Sequence, residues 1–163
     1  MERDPSMPKL FVWGCFDLLH NGHLEFLEHA RQRSSLLVVV LLPDEMVVEA
    51  KGRLPIQRAE RRQKNLLESG YPDVVVIDCA DRGLRELFVY DLDGIFLGLD
   101  QPEDRIPKAQ SLLKKKLKLY RDWGQRMNST TSLVEKHGET YLREHFSDAD
   151  LNTLRRLYSS SSQ

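Results

Sequence analysis

The run from Ser35 to Leu42, SLLVVVLL, is apolar at neighbouring as well as alternate positions, so a strand formed here has no face that belongs in water. A strand of that kind sits in the middle of a parallel sheet with helices packed over both sides. Other short runs fit the same plan. Lys9–Trp13, Asp73–Ile77 (DVVVI) and Asp93–Leu97 (DGIFL) read as strands. Lys116–Tyr120 alternates charged and apolar residues, as an edge strand with one wet face does. Helical stretches alternate with them. One follows His20, a short one covers Glu45–Ala50, and another covers Ile56–Ser69. That last helix has Ile56, Ala59, Gln63, Leu66 and Leu67 as its buried stripe and Arg58, Arg61, Arg62 and Lys64 outside it. Further short helices are expected at Leu84–Tyr90 and, behind a loop, within Gln101–Lys116. Strand and helix in alternation predict a doubly wound α/β fold with about five parallel strands.

The 163 residues suit a single domain with a real core. Residues 1–8 are expected to form a flexible N-terminal arm. The domain should span 9–158 and close with a helix that begins at Ser147–Asp150, and 159–163 should be a disordered tail. The 24 Lys and Arg residues balance 25 Asp and Glu residues. A net charge of −1 gives no overall electrostatic case for nucleic acid or a membrane surface, so partners are expected to be small molecules or protein. No apolar run approaches a membrane span and the N-terminus lacks a signal core. Cys15 and Cys79 lie in or beside apolar runs where a buried thiol is at home, which suits a reducing, cytoplasmic setting.

The chemistry concentrates between Phe11 and Arg33, read as a strand, a tight turn and a helix capped by Asn21. His20 and His23 stand at the mouth of that helix with Gly22 between them, and at this spacing both rings can face one side together with the unbonded amides of the first turn. Imidazole N–H groups and helix amides make a cradle for phosphate, and act most strongly on the charge that builds up when a phosphoryl centre is attacked. A lone histidine there is usually a cap or a core residue; the pair beside a glycine points to an anion site. No third and fourth ligand stand nearby at metal spacing, so no metal site is expected. Lys51-Gly52-Arg53 forms a basic loop at the strand edge where open α/β sheets bind ligands. Asn128–Ser132 stacks hydroxyls at another helix start, where Ser132 and Glu135 fit a capping box and the hydroxyls and amides also suit phosphate oxygens.

The string GCFDLLHNGHLEFLEHA resembles the HxGH segment of the cytidylyltransferase-like nucleotidyltransferases, which include glycerol-3-phosphate cytidylyltransferase, the nucleotidyl domain of ADP-heptose synthesis enzymes and archaeal-type FAD synthetase. The resemblance continues through the Lys-Gly-Arg-x-Pro-Ile stretch and the arginine-bearing helix, and returns at NSTTSLVEK, covering roughly Leu10 to Lys136. It implies a Rossmann-like sheet of order 3-2-1-4-5, with the first strand at the topological switch point, and commonly a homodimer. It also implies transfer of CMP from CTP to the phosphate of a small molecule with release of pyrophosphate, and a Mg2+ ion arriving with the triphosphate. His20 and His23 would stabilise the α-phosphate and Lys51 would hold phosphate oxygens. Arg61, which follows Glu60, is the arginine the resemblance assigns to the nucleotide. Backbone at Gly14, Cys15 and Phe16, together with Gly22, would lie against the nucleotide. Asp100 would hold a ligand hydroxyl, and Ser129, Thr130 and Thr131 would hold the leaving pyrophosphate. The chain departs from the pattern at Gly70, where glycerol-phosphate-type relatives carry a basic residue, and at Gly124–Asn128, where Arg126 is the candidate replacement for a missing arginine. Two alternatives stand beside CTP: an adenylyltransferase using ATP, since HxGH does not specify the base, and a catalytically degenerate nucleotide-binding module.

Overall fold

The structure, a computed structural model, describes residues 3–78, 87–98, 101–104 and 106–122. Cys79, Asp100, Arg126, Ser129, Thr130, Thr131, the Ser132–Glu135 cap and the helix expected from Ser147 lie outside them. The elements are β1 (Lys9–Gly14), α1 (Asn21–Gln32), β2 (Leu36–Leu41), α2 (Asp44–Lys51), α3 (Ala59–Ser69), β3 (Val74–Ile77), β4 (Gly94–Leu97), α4 (Ile106–Leu113) and β5 (Lys118–Arg121). Of the helix expected at Leu84–Tyr90, the described part, Leu87–Tyr90, is a single 3-10 turn.

The five strands are parallel in the order β3-β2-β1-β4-β5. β1 and β2 sit in the middle, and their alternate residues serve the two faces. Leu10, Val12, Leu37, Val39 and Leu41 pack with Leu27 and Ala30 of α1 and Leu66 of α3. Phe11, Trp13, Val38 and Val40 pack with Val47 of α2 and Ala109 and Leu113 of α4. Helices on both faces are what the two-sided apolar run in β2 requires. β5 is the edge expected from its alternating residues, with Lys118 and Leu119 exposed. Among the described residues no helix is long and apolar enough to cross a membrane.

The end of the sheet opposite the strand C-termini is closed by ion pairs. Asp73 takes a bidentate contact from Arg3 and a bond from Arg31 at 3.0 Å, and accepts from the Leu37 amide at 2.8 Å. α1 is also held in its last turn, where His29 Nδ1 lies 2.6 Å from Asp122 Oδ1. At the other end, the strand C-termini carry the β1–α1 loop at the switch point between β1 and β4, with the β2–α2 loop beside it, on the edge at which open sheets bind ligands.

Local details differ from the sequence reading in physically instructive ways. The N-cap of α1 is His20, not Asn21, because the His20 side chain accepts from the His23 amide. α3 begins at Ala59 rather than Ile56: Arg58 is its extended N-cap, and the amides of Ile56 and Gln57, which lie before the helix, are bonded to Asp17. Arg62, expected in solvent, is fully buried, whereas Leu67, expected in the stripe, is 48% exposed. The buried spacing in α3 is Ala59, Arg62, Leu66, which is itself a helical repeat.

Candidate active site

The loop from Cys15 to His20 leaves β1 through a tight fold. Phe16 and Leu18 both take left-handed backbone angles, φ 51° and 50°. Neither is a glycine, and each such angle costs on the order of 1 kcal/mol, which packing must offset. The offset is visible: Leu18 is wholly buried and Phe16 nearly so. The Phe16 ring folds back over Gly14 so closely that a β-carbon on Gly14 would stand 2.9 Å from it. The same ring meets His23 edge-on at 5.4 Å between centroids. Gly14, Phe16 and His23 are therefore one packed unit.

His20 and His23 brace each other. The His23 amide donates to His20 Nδ1 at 3.3 Å and the His20 amide donates to His23 Nδ1 at 3.4 Å, a reciprocal capping box made from two imidazoles. Their rings stack with centroids 3.7 Å apart and planes 17° from parallel. A nitrogen that accepts from an amide carries no proton, so in the neutral rings the proton is on Nε2. Capping by the histidines and anion binding by them are then compatible, because the two tasks use different nitrogens. The arrangement places two imidazole N–H groups at the positive end of a helix, that of His20 buried in this structure.

Two buried charges hold this loop to its neighbours, and neither was singled out from the sequence. Asp17 Oδ2 and Oδ1 accept from the amides of Ile56 and Gln57 at 2.8 and 2.9 Å, and Arg53 lies 4.0 Å from the same carboxylate. Burial pushes the Asp17 carboxyl above its ordinary value, against the pull of the two amides and of the Arg62 and Arg53 guanidinium groups. Arg62 donates to three carbonyls, Gln57 at 2.9 Å and Cys15 and Leu42 at 2.8 Å each, and pairs with Asp44 at 2.9 Å. Asp17 grips the N–H of Gln57 and Arg62 its C=O. Together they join the histidine loop, the end of β2, the start of α2 and the segment after the basic loop. The signal for Arg62 was its place in the Ala59–Leu66 repeat. For Asp17 there was none, since its partners are 39 and 40 residues away.

The expected site residues fall into three groups. Gly14, Cys15, Phe16, His20, Gly22 and His23 come together at the C-terminal end of β1 and the start of α1. Lys51 ends α2, exposed, and Gly52 follows in the left-handed conformation at φ 71°, turning the chain into the basic loop. The Lys51 charge is close enough to act on the Cys15 thiol, which burial nevertheless pushes up. Arg61 stands on the exposed side of α3, lining a shallow depression of about 320 Å3 with Leu19, Leu24, Gln57, Asn65 and Glu68. Arg62, not Arg61, is the arginine bonded to the histidine loop. Asp100, Ser129, Thr130 and Thr131 are outside the described residues.

Residues 11–122 match the cytidylyltransferase-like family. The chain belongs to that family. Cytidylyltransferase-like relatives include a protein named FAD synthase from Pyrococcus abyssi, 39% identical over 97 residues, a match covering 59% of this chain and 66% of that one. A second FAD synthase, from Thermococcus sibiricus, is 31% identical over 141 residues, covering 82% of this chain and 94% of that one. The bifunctional protein HldE of Magnetococcus marinus is 32% identical over 136 residues, and the match spans 78% of this chain but 26% of that protein. A solved structure, the lipopolysaccharide core biosynthesis protein from Thermoplasma volcanium, superposes with a TM-score of 0.62 at 24% identity, over 76% of this chain and 100% of that one. That likeness shows the fold.

Proposed function

We propose that this member of the family is a nucleotidyltransferase that moves a nucleoside monophosphate from a nucleoside triphosphate onto the phosphate of a small molecule. The observation that carries the reading is the stacked, mutually capped pair His20 and His23 at the start of α1. In the reaction an oxygen of the acceptor phosphate attacks the α-phosphorus in line, a new P–O bond forms, and the bond to the β-phosphate oxygen breaks. Pyrophosphate leaves with the electron pair. The protein's part is positioning and charge neutralisation. His20 and His23 donate from Nε2 to the α-phosphate oxygens as negative charge builds there. Lys51 and Arg61 hold other phosphate oxygens, and Ser129, Thr130 and Thr131 hold the departing pyrophosphate. Backbone at Gly14, Cys15, Phe16 and Gly22 lies against the nucleotide, and Asp100 accepts from a ligand hydroxyl. Mg2+ accompanies the triphosphate and is held chiefly by phosphate oxygens. Among the described residues no three His, Cys, Asp or Glu side chains converge on a metal position. A cytoplasmic homodimer belongs to the same proposal, from the resemblance and the cysteine usage.

The donor base divides the reading. The family resemblance implies CTP. The similarity to two proteins named FAD synthase supports ATP, since FAD carries an adenylyl group that transfer from ATP to flavin mononucleotide would supply. We take ATP with flavin mononucleotide as the first pair and CTP with phosphorylated sugars or polyols as the second. The test is pyrophosphate release from each pair with magnesium, alongside the melting temperature with each nucleotide, because a ligand that binds only the folded state raises it. Release from one pair and a shift with its nucleotide are expected. Neither release nor a shift with any nucleotide would overturn the reading and favour a degenerate binding module.

A further inference from the structure

β1 pairs with β2 along its whole length, from Lys9 against Leu36 to Gly14 against Leu41. With β4 it pairs at Leu10 against Gly94 and Phe11 against Ile95 alone. β4 meanwhile stays with β5 as far as Leu97 against Arg121. The two strands that flank the switch point therefore separate toward their C-terminal ends, beneath the histidine loop. The side-chain amide of Gln101 fills the opening. Its Oε1 accepts from the Gly98 amide at 2.8 Å and its Nε2 donates to the Trp13 carbonyl at 2.8 Å. One acceptor and one donor on a planar amide is what a backbone peptide presents to its two neighbours in a sheet. A side chain here stands where a peptide of another strand would stand.

Gln101 is itself held from behind. Its backbone amide donates to the Gly98 carbonyl at 3.2 Å. The Arg121 guanidinium, at the end of β5, donates to the carbonyls of Gly98 and Gln101 at 3.0 Å each, and its other nitrogen lies 2.7 Å from Glu103. Gly98 and Gln101 are thus both held by Arg121, and the Gln101 side-chain amide reaches 88 residues back to β1.

We propose that Gln101 is a positioning residue for the nucleoside end of the site, a wedge that sets the separation of β1 and β4 so that the Gly14–Phe16 backbone lies where a nucleoside can rest on it. The proposal rests on the nucleotidyltransferase reading and adds a division of labour to it. The phosphate end is braced by the histidine capping box and by Asp17 and Arg62. Loss of the wedge should therefore loosen nucleoside binding far more than it disturbs the histidines, which keep their own capping box although Phe16 packs on His23.

The experiment measures binding of ATP, CTP and inorganic tripolyphosphate, each with magnesium, to the wild type, Gln101→Ala and Gln101→Glu, together with steady-state pyrophosphate release. For Gln101→Ala, KM and Kd for the preferred nucleotide should rise about tenfold or more while kcat stays within about threefold, the pattern of lost uniform binding. Tripolyphosphate affinity should hold. Gln101→Glu covers the case in which the alanine variant does not fold. Ionised, it keeps the acceptor toward Gly98 but faces the Trp13 carbonyl without a proton. Protonated, it has both groups again. Its nucleotide affinity relative to the wild type at each pH should recover as pH falls. Wild-type affinity in Gln101→Ala, parallel loss of nucleotide and tripolyphosphate binding, or no recovery of Gln101→Glu at low pH would each overturn the wedge. A wild-type protein that binds neither ATP nor CTP would overturn the nucleotidyltransferase reading, and the wedge with it.

Discussion

Each imidazole at the start of α1 uses Nδ1 to accept a backbone amide, so the neutral rings should both be Nε2–H tautomers. Long-range 15N–1H correlation spectra above neutral pH check this directly: two Nε2-protonated rings are expected, and an Nδ1-protonated ring at either position would remove the paired donors. Cys15 makes a second prediction at this scale. Cys15 lies in the same loop and is 9% exposed as a residue. Burial raises its thiol above the ordinary 9.0, and the charges of Lys51 and Arg62 oppose that only in part. The nucleophile is the thiolate. In a variant lacking Cys79, alkylation should therefore be slow near neutrality. It should keep accelerating with pH beyond the point where an exposed thiol levels off. A rate at neutral pH matching that of a free thiol would contradict the buried placement.

At the scale of elements, the sequence was legible where a pattern is local. The β2 run announces a central strand because its apolar residues face both ways, and the pair of histidines announces a helix mouth because they stand three positions apart. It was not legible where a position is set by distant carbonyls. Arg62 sits among Arg61, Gln63 and Lys64, and its composition reads as a solvated face. What buries it is the convergence of Cys15, Leu42 and Gln57 carbonyls from three other segments. Likewise Ile56 and Gln57, expected in the first turn of α3, are held outside it by hydrogen bonds to a carboxylate in the β1–α1 loop. Replacing Arg62 by methionine leaves those carbonyls and Asp44 without their donor, so unfolding in urea should show a loss of about 3 kcal/mol or more. A change within about 0.5 kcal/mol, the range of surface substitutions, would mean that Arg62 does not bind the loops together.

For the whole molecule, the doubly wound sheet brings β1 to the switch point. Three features argued for the site follow from what leaves the end of that strand: the left-handed loop, the two histidines, and the gap that Gln101 fills. Fold and family agree. The phosphate chemistry stands or falls on whether the imidazoles serve the substrate as well as the helix, and one substitution separates these tasks. Asparagine at position 20 is a good N-cap, so His20→Asn keeps an acceptor for the His23 amide but removes the Nε2 donor. The measurement is its kcat for pyrophosphate release beside that of the wild type, with the melting temperature of each. The account predicts a melting temperature close to that of the wild type and a kcat lower by about two orders of magnitude, as for loss of an electrostatic stabiliser. A folded His20→Asn enzyme with wild-type turnover would contradict it, leaving the imidazole as a helix cap and nothing more.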